Sequence, residues 1–266
     1  MNFKNEIANT LFIPLTMKAL ENRKKNGLFK DKQADDIIKK LGIPLPNMEM
    51  IHKGTQIGTA VRVKSLDQQL ELFLNNNPNG VVITLGCGLD NRLLRLKRKS
   101  THALNIDLPE VIKIREQYVK EASNLVINKG FSILEPQCFE YIKETYRDKP
   151  KIFIAEGILL YFNETQVLKI FNSILNIETN IVPNNEIWFD SHTKEVNDFM
   201  NTREDFKKLR VTFNWWLDKP SDLKIKKMDL IKRMSFMEQY PKAWGDLIDS
   251  APDIFRNGVH INGYKF

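Results

Sequence analysis

The chain has 266 residues, of which 42% are hydrophobic and 27% charged, an ordinary composition for a globular protein. Cys87 and Cys138 are its only cysteines, which excludes a disulfide framework or a cysteine-based zinc cluster, and no uncharged apolar run approaches the ~18 residues of a membrane span. The net charge of +7 comes from basic residues interleaved with acids, so we interpret it as a solvated surface and expect no nucleic-acid partner.

The amino-terminal segment lacks the basic start, apolar run and small-residue cleavage site of a signal peptide. We therefore expect a cytoplasmic protein whose two cysteines stay reduced. The length is sufficient for a full hydrophobic core without metal ions, and no internal repeat divides it. We predict one domain over residues 1–266, with no metal site.

Residues 1–75 are predicted to be helical. Asp31 has the position of an N-cap before the segment KQADDIIKKL. Apolar residues of the last helix recur at i, i+3 and i+4 spacing, which predicts one buried face; they are Val63, Leu66, Leu70, Phe73 and Leu74. The turn-forming stretch NNNPNG, residues 75–80, ends this helical part.

Strand-like and helix-like segments alternate from residue 81 onward. The predicted strands are 81–85, 102–107, 124–128, 151–156 and 186–190, and GVHINGYKF at the carboxyl end is a candidate last strand. Helices are predicted from Asp90, from Pro109, between the third and fourth strands, and from a capping box formed by Asn163 and Gln166. This alternation predicts an α/β fold with a parallel sheet and helices on both faces. Residues 195–235 are charged and only partly periodic, and they are the least readable part.

The stretch VVITLGCG places Gly86 and Gly88 directly after the first predicted strand. Ligands of open parallel sheets bind beyond the carboxyl ends of the strands, where glycine lets the backbone approach a ligand and a following helix offers unpaired N–H groups. Asp107 ends the next strand about 20 residues later, where a carboxylate can accept hydrogen bonds from ribose hydroxyls. A purely steric turn at the glycines and an N-cap role for Asp107 are the alternatives.

Two cofactors suit this arrangement, a nicotinamide dinucleotide and S-adenosylmethionine. The dinucleotide loop G-x-G-x-x-G has a third glycine, and this chain has Asn91 at that position. Asp90 would also place a negative charge near the two phosphates of the dinucleotide. S-adenosylmethionine has no phosphate and carries positively charged groups, so the loop favours it, and a nicotinamide-dependent oxidoreductase is the alternative.

Four segments together resemble the leucine carboxyl methyltransferase family, including its bacterial O-methyltransferases of the tetracenomycin polyketide type. They are RVKSLDQQLELF, VVITLGCGLDNRLLRL, IDLPEVIKIREQY and IFIAEGILLYF, and the resemblance covers roughly residues 10–175. It implies a class I methyltransferase with S-adenosylmethionine as cofactor and a Rossmann-like, mostly parallel seven-stranded sheet. We accordingly divide the single domain into a helical cap (1–75), a cofactor-binding core (80–190) and an acceptor-side insert with the final strands (191–266).

The resemblance also implies which residues hold the cofactor. Arg62, in the helix before the first strand, is expected to grip the methionine carboxylate with two parallel hydrogen bonds; a surface arginine is the alternative. Glu156, after the fourth strand, is expected to face the amino-acid or sulfonium end; a cap for the next loop is the alternative. The full predicted set is Arg62, Gly86, Cys87, Gly88, Asp107, Leu108, Ser132, Ile133 and Glu156.

The chain departs from the family pattern in two segments. Ser132 and Ile133, in FSILEP, stand where family members often carry Asp-Leu, whose acid bonds the adenine amino group. A hydrogen bond between the Ser132 hydroxyl and the base is the replacement that this segment still allows. Asp90-Asn91-Arg92 stands where family members usually have Asp-Thr-Arg, which is a milder change.

The resemblance implies O-methyl transfer to a small-molecule carboxylate or hydroxyl, or to a protein carboxyl terminus; a cofactor-binding relative without catalysis is an alternative. An ionised carboxylate needs no base, whereas a hydroxyl can need one. Tyr161 and His192 are the candidate catalytic residues, with Asp190 beside them, because each follows the carboxyl end of a predicted strand. The alternatives are a cap of the next helix for His192 and a pocket wall with a polar tip for Tyr161. Trp215 and Trp216 are candidate walls of an aromatic acceptor pocket, but adjacent side chains point in different directions, so at least one of them is expected in the core. No membrane partner is expected, and the oligomeric state is left open.

Overall fold

The computed structural model describes residues 10–43, 53–177, 184–204, 207 and 210–266. The helical prediction for residues 1–9 and 44–52 lies outside the described residues. The amino-terminal helices are α1 (Phe12–Arg23), α2 (Lys32–Lys40) and α3 (Lys53–Asn76). Asp31 caps α2 as predicted, because its Oδ1 accepts a hydrogen bond from the Ala34 N–H at 2.9 Å.

The remaining elements alternate between strand and helix over most of their length. The strands are β1 (Val81–Leu85), β2 (His102–Asp107), β3 (Val126–Gly130), β4 (Lys151–Ala155), β5 (Glu186–His192), β6 (Asp229–Ser235) and β7 (Val259–Lys265). The helices between them are α4 (Arg92–Arg95), α5 (Pro109–Tyr118), α6 (Pro136–Thr145), α7 (Glu164–Leu175) and α8 (Lys194–Thr202). Helical turns also cover Leu159–Tyr161, Pro220–Asp222, Pro241–Trp244, Leu247–Ser250 and Asp253–Arg256. Among the helices that the structure describes, none combines the length and the apolar composition that crossing a bilayer requires.

The seven strands form one sheet in the order β3-β2-β1-β4-β5-β7-β6. Strands β1 to β5 pair in parallel, and β7 runs antiparallel to both β5 and β6. The order reverses between β1 and β4, which opens a crevice at the carboxyl ends of these two strands. The predicted α/β fold with a mostly parallel seven-stranded sheet is confirmed.

Both faces of the sheet are covered, which explains why four of the five β1 residues are apolar. Successive side chains of a strand point to opposite faces. Val81, Ile83 and Leu85 pack into a core that includes α6 and α7, whereas Val82 packs into a second core that includes Leu66 of α3. The polar exception, Thr84, is buried and lines the cavity at the end of the strand.

Three element predictions were wrong in position or missing. β3 occupies 126–130 rather than 124–128, because it is an edge strand with partly exposed side chains, so its apolar pattern is weak. α4 begins at Arg92 rather than at Asp90, and it is one turn long, so the glycine turn does not open directly onto a helix. β6 lies within the part that showed no clear pattern, since its first four residues are exposed.

Candidate cofactor and acceptor site

A cavity of about 860 Å³ lies beyond the carboxyl ends of the parallel strands. All nine residues predicted to bind the cofactor line it: Arg62, Gly86, Cys87, Gly88, Asp107, Leu108, Ser132, Ile133 and Glu156. They come from α3 and from the segments that follow β1, β2, β3 and β4. The fold therefore brings together side chains that are up to 94 positions apart in the chain.

The turn after β1 requires glycine at both of its glycine positions. Gly86 and Gly88 have φ angles of +68° and +48°, in the left-handed region that favours glycine. A Cβ on Gly86 would lie 2.8 Å from Cγ1 of Ile158, and a Cβ on Gly88 would lie 2.9 Å from Cδ1 of Leu11. The steric alternative therefore holds for both positions, and the same bare backbone also lines the cavity.

Asp107 is attached to this turn. Its Oδ2 accepts a hydrogen bond from the Gly88 N–H at 2.7 Å, and its Oδ1 accepts one from the Leu108 N–H at 2.8 Å. Burial raises the pKa of Asp107, and the two backbone hydrogen bonds oppose that rise. The side chain makes no capping bond to the first turn of α5, so the N-cap alternative is not realised. Each carboxylate oxygen keeps a further lone pair that can accept a ligand hydroxyl.

Arg62 lies between two acids at the ends of β4 and β5. Its Nε donates to Oε1 of Glu156 at 3.3 Å, and its Nη1 donates to Oδ2 of Asp190 at 3.2 Å. Burial lowers the pKa of Arg62, but the two carboxylates raise it by more, so the guanidinium stays charged. Asp190 also accepts the N–H of Gly157 at 2.6 Å, which joins the loop after β4 to this group. Arg62 is therefore not a surface arginine, and its remaining N–H groups are left for a ligand carboxylate.

A buried ionic cluster beneath the turn was not predicted. Arg92 pairs with Asp67 at 2.9 Å and also with Glu156. Nε and Nη2 of Arg95 donate hydrogen bonds to the two carboxylate oxygens of Asp67, at 2.9 and 3.0 Å. The Arg92 side chain is only 4% exposed, so its charge depends on these partners. The sequence offered one signal for this cluster. Arg92, at its centre, stands in the segment that departs from the family's Asp-Thr-Arg pattern.

Asp90 belongs to the same cluster. This corrects the argument that its negative charge would disfavour the phosphates of a dinucleotide. Its carboxylate lies 2.5 Å from Nζ of Lys18 and 3.2 Å from Nη1 of Arg95. Burial by itself raises the pKa of Asp90, but Lys18 and the arginines lower it to well below its ordinary value. The carboxylate is thus ionised and neutralised by cations, and it does not present a free negative charge that would repel phosphates.

Arg115 of α5 also supports the turn and was missed. Its Nη1 donates to the carbonyl oxygens of Gly88 at 3.0 Å and Asp90 at 2.6 Å, and its Nη2 lies beside Glu121. The side chain is only 1% exposed. It stands within the segment IDLPEVIKIREQY, but periodicity alone does not separate a buried arginine from a surface one.

The segment after β3 contributes the part of the cavity where a base is expected. Ile133 is buried and Ser132 is partly exposed, and both line the cavity with Phe131. Oγ of Ser132 accepts the Leu134 N–H at 3.3 Å. The hydroxyl therefore has a fixed local partner and keeps its own hydrogen for donation to a ligand.

Tyr161 and His192 line the same cavity. The centroid of the Phe213 ring lies 5.4 Å from the centroids of both the Tyr161 and the His192 rings. Burial raises the pKa of Tyr161, so its hydroxyl is protonated at neutral pH. Neither tryptophan lines the cavity, so the predicted pocket wall was wrong. Trp215 packs in the core against Phe189, as expected for one of the pair, and Trp216 is 41% exposed.

These groups fit S-adenosylmethionine. Asp107 offers acceptors for ribose hydroxyls, and the N–H groups that Arg62 retains suit a carboxylate. Both oxygens of Glu156 already face arginines, Arg62 and Arg92, and each keeps a further lone pair that can face an ammonium or sulfonium. The buried cysteine in the turn adds no reactivity, because burial raises the pKa of the Cys87 thiol. A Cβ at Gly86 would clash with Ile158, and one at Gly88 would clash with Leu11. The two glycines therefore line the cavity with bare backbone.

The sequence profile of the family described as leucine carboxyl methyltransferase matches residues 12–175, more than half of the chain. The tetracenomycin polyketide synthesis O-methyltransferase TcmP of Streptomyces glaucescens is 23% identical over 235 residues, which cover 88% of this chain and 82% of TcmP. The S-adenosyl-L-methionine-dependent methyltransferase dpfgK of Gibberella zeae is 26% identical over 285 residues, covering 97% of this chain and 94% of dpfgK.

Solved structures share the fold at low sequence identity. A Thermobifida fusca YX protein assigned as a methyltransferase has a TM-score of 0.58 and 13% identity, over 95% of this chain and 93% of that protein. Magnesium protoporphyrin IX methyltransferase from Synechocystis PCC 6803, solved with S-adenosylhomocysteine, has a TM-score of 0.52 and 10% identity, over 88% of this chain and 93% of that protein. These likenesses confirm the predicted class I methyltransferase fold.

Proposed function

The chain belongs to the leucine carboxyl methyltransferase family and is an S-adenosylmethionine-dependent methyltransferase of the TcmP type; on that premise we propose that it methylates an oxygen atom, a carboxylate or a hydroxyl, of a small molecule. The observation that carries the proposal is one cavity that runs from the glycine turn and Arg62 to an apolar wall around Phe213. The nicotinamide alternative is set aside, because the family uses S-adenosylmethionine.

In this proposal the polar residues of the cavity hold the cofactor. Asp107 binds the ribose hydroxyls, Arg62 binds the methionine carboxylate, and Glu156 faces the cationic end of the amino acid. Ser132 and Ile133 contact the base. When bound, S-adenosylmethionine supplies an electrophilic methyl group on a sulfonium.

The acceptor side of the cavity is apolar, which suits a small organic acceptor rather than a polymer. Apolar and aromatic side chains line it and come from the segments after β4 and around α8; they are Leu160, Phe162, Phe199, Met200 and Phe213. Such walls exclude water and hold the acceptor oxygen at near-attack distance, ~3–3.5 Å, which is where an enzyme gains most in a displacement reaction. The name of TcmP, a polyketide synthesis O-methyltransferase, supports oxygen as the methylated atom.

The test is transfer of an isotope-labelled methyl group from S-adenosylmethionine to a metabolite extract. We expect label in small molecules whose new methyl group is bonded to oxygen, identified by mass spectrometry and proton NMR. Calorimetry with S-adenosylmethionine and with NAD is the accompanying binding measurement, and we expect only the former to bind. Label that accumulates on nitrogen, carbon or protein, or no label beside tight cofactor binding, contradicts the proposal.

A further inference from the structure

His192 is held by a chain of hydrogen bonds that leads away from the cavity. Its Nδ1 lies 2.9 Å from Oδ1 of Asn197, and Nδ2 of Asn197 donates to the carbonyl oxygen of Trp215 at 2.6 Å. A carbonyl oxygen can only accept, so the amide nitrogen of Asn197 faces Trp215 and its oxygen faces the imidazole. Since that amide oxygen also only accepts, Nδ1 of His192 carries a hydrogen.

The other ring nitrogen is therefore an acceptor when the ring is neutral. Burial lowers the pKa of His192 to about 4, although Asp190 and the Asn197 hydrogen bond act in the opposite direction. Nε2 has no hydrogen-bond partner within the described ranges, and it keeps accessible surface on a residue that lines the cavity. Its lone pair is thus available to a hydrogen-bond donor that enters the cavity.

Aromatic and apolar side chains lie beside the His192 ring, and Asp190 and Arg62 are the charged groups near it. Phe213 meets the His192 ring edge-on at 90°, and the Tyr161 ring also packs against Phe213. Phe199 and Met200 of α8 line the neighbouring wall. A flat ring gains dispersion and edge-to-face contacts in such a place, and a hydroxyl on that ring supplies the hydrogen that Nε2 lacks.

We propose that Nε2 of His192 accepts the proton of a hydroxyl group carried on an aromatic or conjugated ring, and that Asn197 is the positioning residue that keeps the ring hydrogen on Nδ1. The O–H bond breaks, its proton joins Nε2, and its electron pair stays on the oxygen, which becomes the nucleophile. The imidazolium keeps its Nδ1–H on Asn197. Burial and Arg62 disfavour its charge, and Asp190 with the Asn197 hydrogen bond offsets part of that cost. This inference rests on the proposed function and narrows its acceptor from a carboxylate or hydroxyl to a hydroxyl.

A carboxylate acceptor does not suit this arrangement. An ionised carboxylate has no hydrogen to donate. Its oxygen lone pair would face the lone pair of Nε2, and the two would repel each other. It also needs no base, which would leave the Asn197 bond to His192 without a role in transfer.

His260 provides an internal reference with the opposite hydrogen placement. Nη2 of Arg233 lies 3.0 Å from Nδ1 of His260. Arginine only donates, so Nδ1 of His260 is the acceptor and the hydrogen of its neutral ring is on Nε2. Burial lowers the pKa of His260 to about 4 as well, but this residue does not line the cavity.

The first measurement is long-range proton–nitrogen correlation NMR at pH 7 on protein with nitrogen-15-labelled histidine. We expect a protonated Nδ1 and an unprotonated Nε2 for His192, and the reverse for His260. Asn197→Leu is expected to move the hydrogen of His192 to Nε2 or to average the two forms, and Asn197→Asp, which still accepts from Nδ1, is expected to restore the native form. A hydrogen on Nε2 of His192 in the native protein overturns the proposal.

The second measurement is calorimetric binding of three shape-matched probes, 2-naphthol, 2-naphthoate and naphthalene, to protein saturated with S-adenosylhomocysteine. We expect 2-naphthol to bind about tenfold more tightly than the other two, and His192→Phe to abolish that preference. His260→Gln is the matched control and should leave the preference intact. A preference for 2-naphthoate, or a naphthol preference that survives His192→Phe, overturns the proposal.

Failure of this inference and failure of the proposed function give different results. If methyl label appears on carboxylates at an unchanged rate in His192→Phe, the function stands and the His192 role falls. If no oxygen is methylated in any extract but both measurements come out as expected, the function falls and the hydroxyl site stands. If hydroxyls are methylated, we expect His192→Phe to lower kcat by roughly 10²-fold or more.

Discussion

Oδ2 of Asp107 accepts a hydrogen bond from the Gly88 N–H at 2.7 Å, so the acid that ends β2 and the turn that follows β1 form one unit. The parallel register places Leu85 opposite Ile106, and both strands therefore end at the same level. A ligand above the turn meets bare backbone and a carboxylate together.

Replacement of Asp107 by alanine should weaken S-adenosylmethionine binding by tenfold or more, about 1.4 kcal/mol for each tenfold. The variant loses the proposed ribose acceptor and also the group that holds the Gly88 N–H. Calorimetry measures the affinity, and a thermal melt checks the fold. Glu116→Ala, an exposed change on α5, is the control. Native affinity in folded Asp107→Ala would remove the assigned role.

Replacement of Arg62 by alanine should also weaken S-adenosylmethionine binding by tenfold or more. The guanidinium is the cation that faces the cavity between two acids, and its loss leaves Glu156 and Asp190 to repel a ligand carboxylate. Arg62→Lys should be intermediate, because an ammonium keeps the charge and loses the fork. Lys64→Ala, on the same helix but outside the cavity lining, should bind normally. Equal affinity in the alanine and native proteins would contradict the assignment.

Gly86→Ala should destabilise the fold by about 2 kcal/mol or more, because φ strain of about 1–2 kcal/mol adds to the contact with Ile158. Gly42→Ala is the matched control, since Gly42 has a φ of +62° and an added Cβ there would have nothing within 4 Å, so it should show the strain alone. Urea denaturation measures both variants. Combining Gly86→Ala with Ile158→Ala should cost less than the sum of the two changes; strict additivity would mean that the contact is relieved elsewhere.

Asp90→Asn should make folding stability less sensitive to acid. The folded-state pKa of Asp90 lies well below its ordinary value, so its ion pairs stabilise the protein above the unfolded pKa, and that stabilisation is lost as pH falls from about 5 towards 2. Chemical denaturation at a series of pH values in this range measures the loss. The exposed change Asp253→Asn should leave the native pH dependence in place, and an undiminished slope in Asp90→Asn would contradict the prediction.

The local chemistry of the chain was sufficient for the elements and the cofactor loop. An almost wholly apolar five-residue run before Gly86, an N-cap at Asp31 and a capping box at Asn163 and Gln166 each depend on neighbours in sequence. All of them formed where predicted. The edge strands β3 and β6 were misplaced or missed, because a strand with exposed positions lacks a continuous apolar run.

The position of Asp107 was also predictable, since a strand, a glycine turn and an acid at the end of the next strand recur at a regular separation. The resemblance added Arg62 and Glu156. The resemblance did not give their partners, because Arg92 meets Glu156, and Asp190 meets Arg62, only after the chain has folded.

The amino-acid sequence by itself therefore determined the alternation of the first five strands with helices, the glycine turn and the family. Only the tertiary structure decided which charges neutralise each other, that Trp215 rather than Trp216 belongs to the core, and that Asn197 orients His192. The physical reason is range: hydrophobic periodicity and turn chemistry act between residues a few positions apart, whereas ion pairs and tautomers depend on atoms within about 3 Å that come from distant segments.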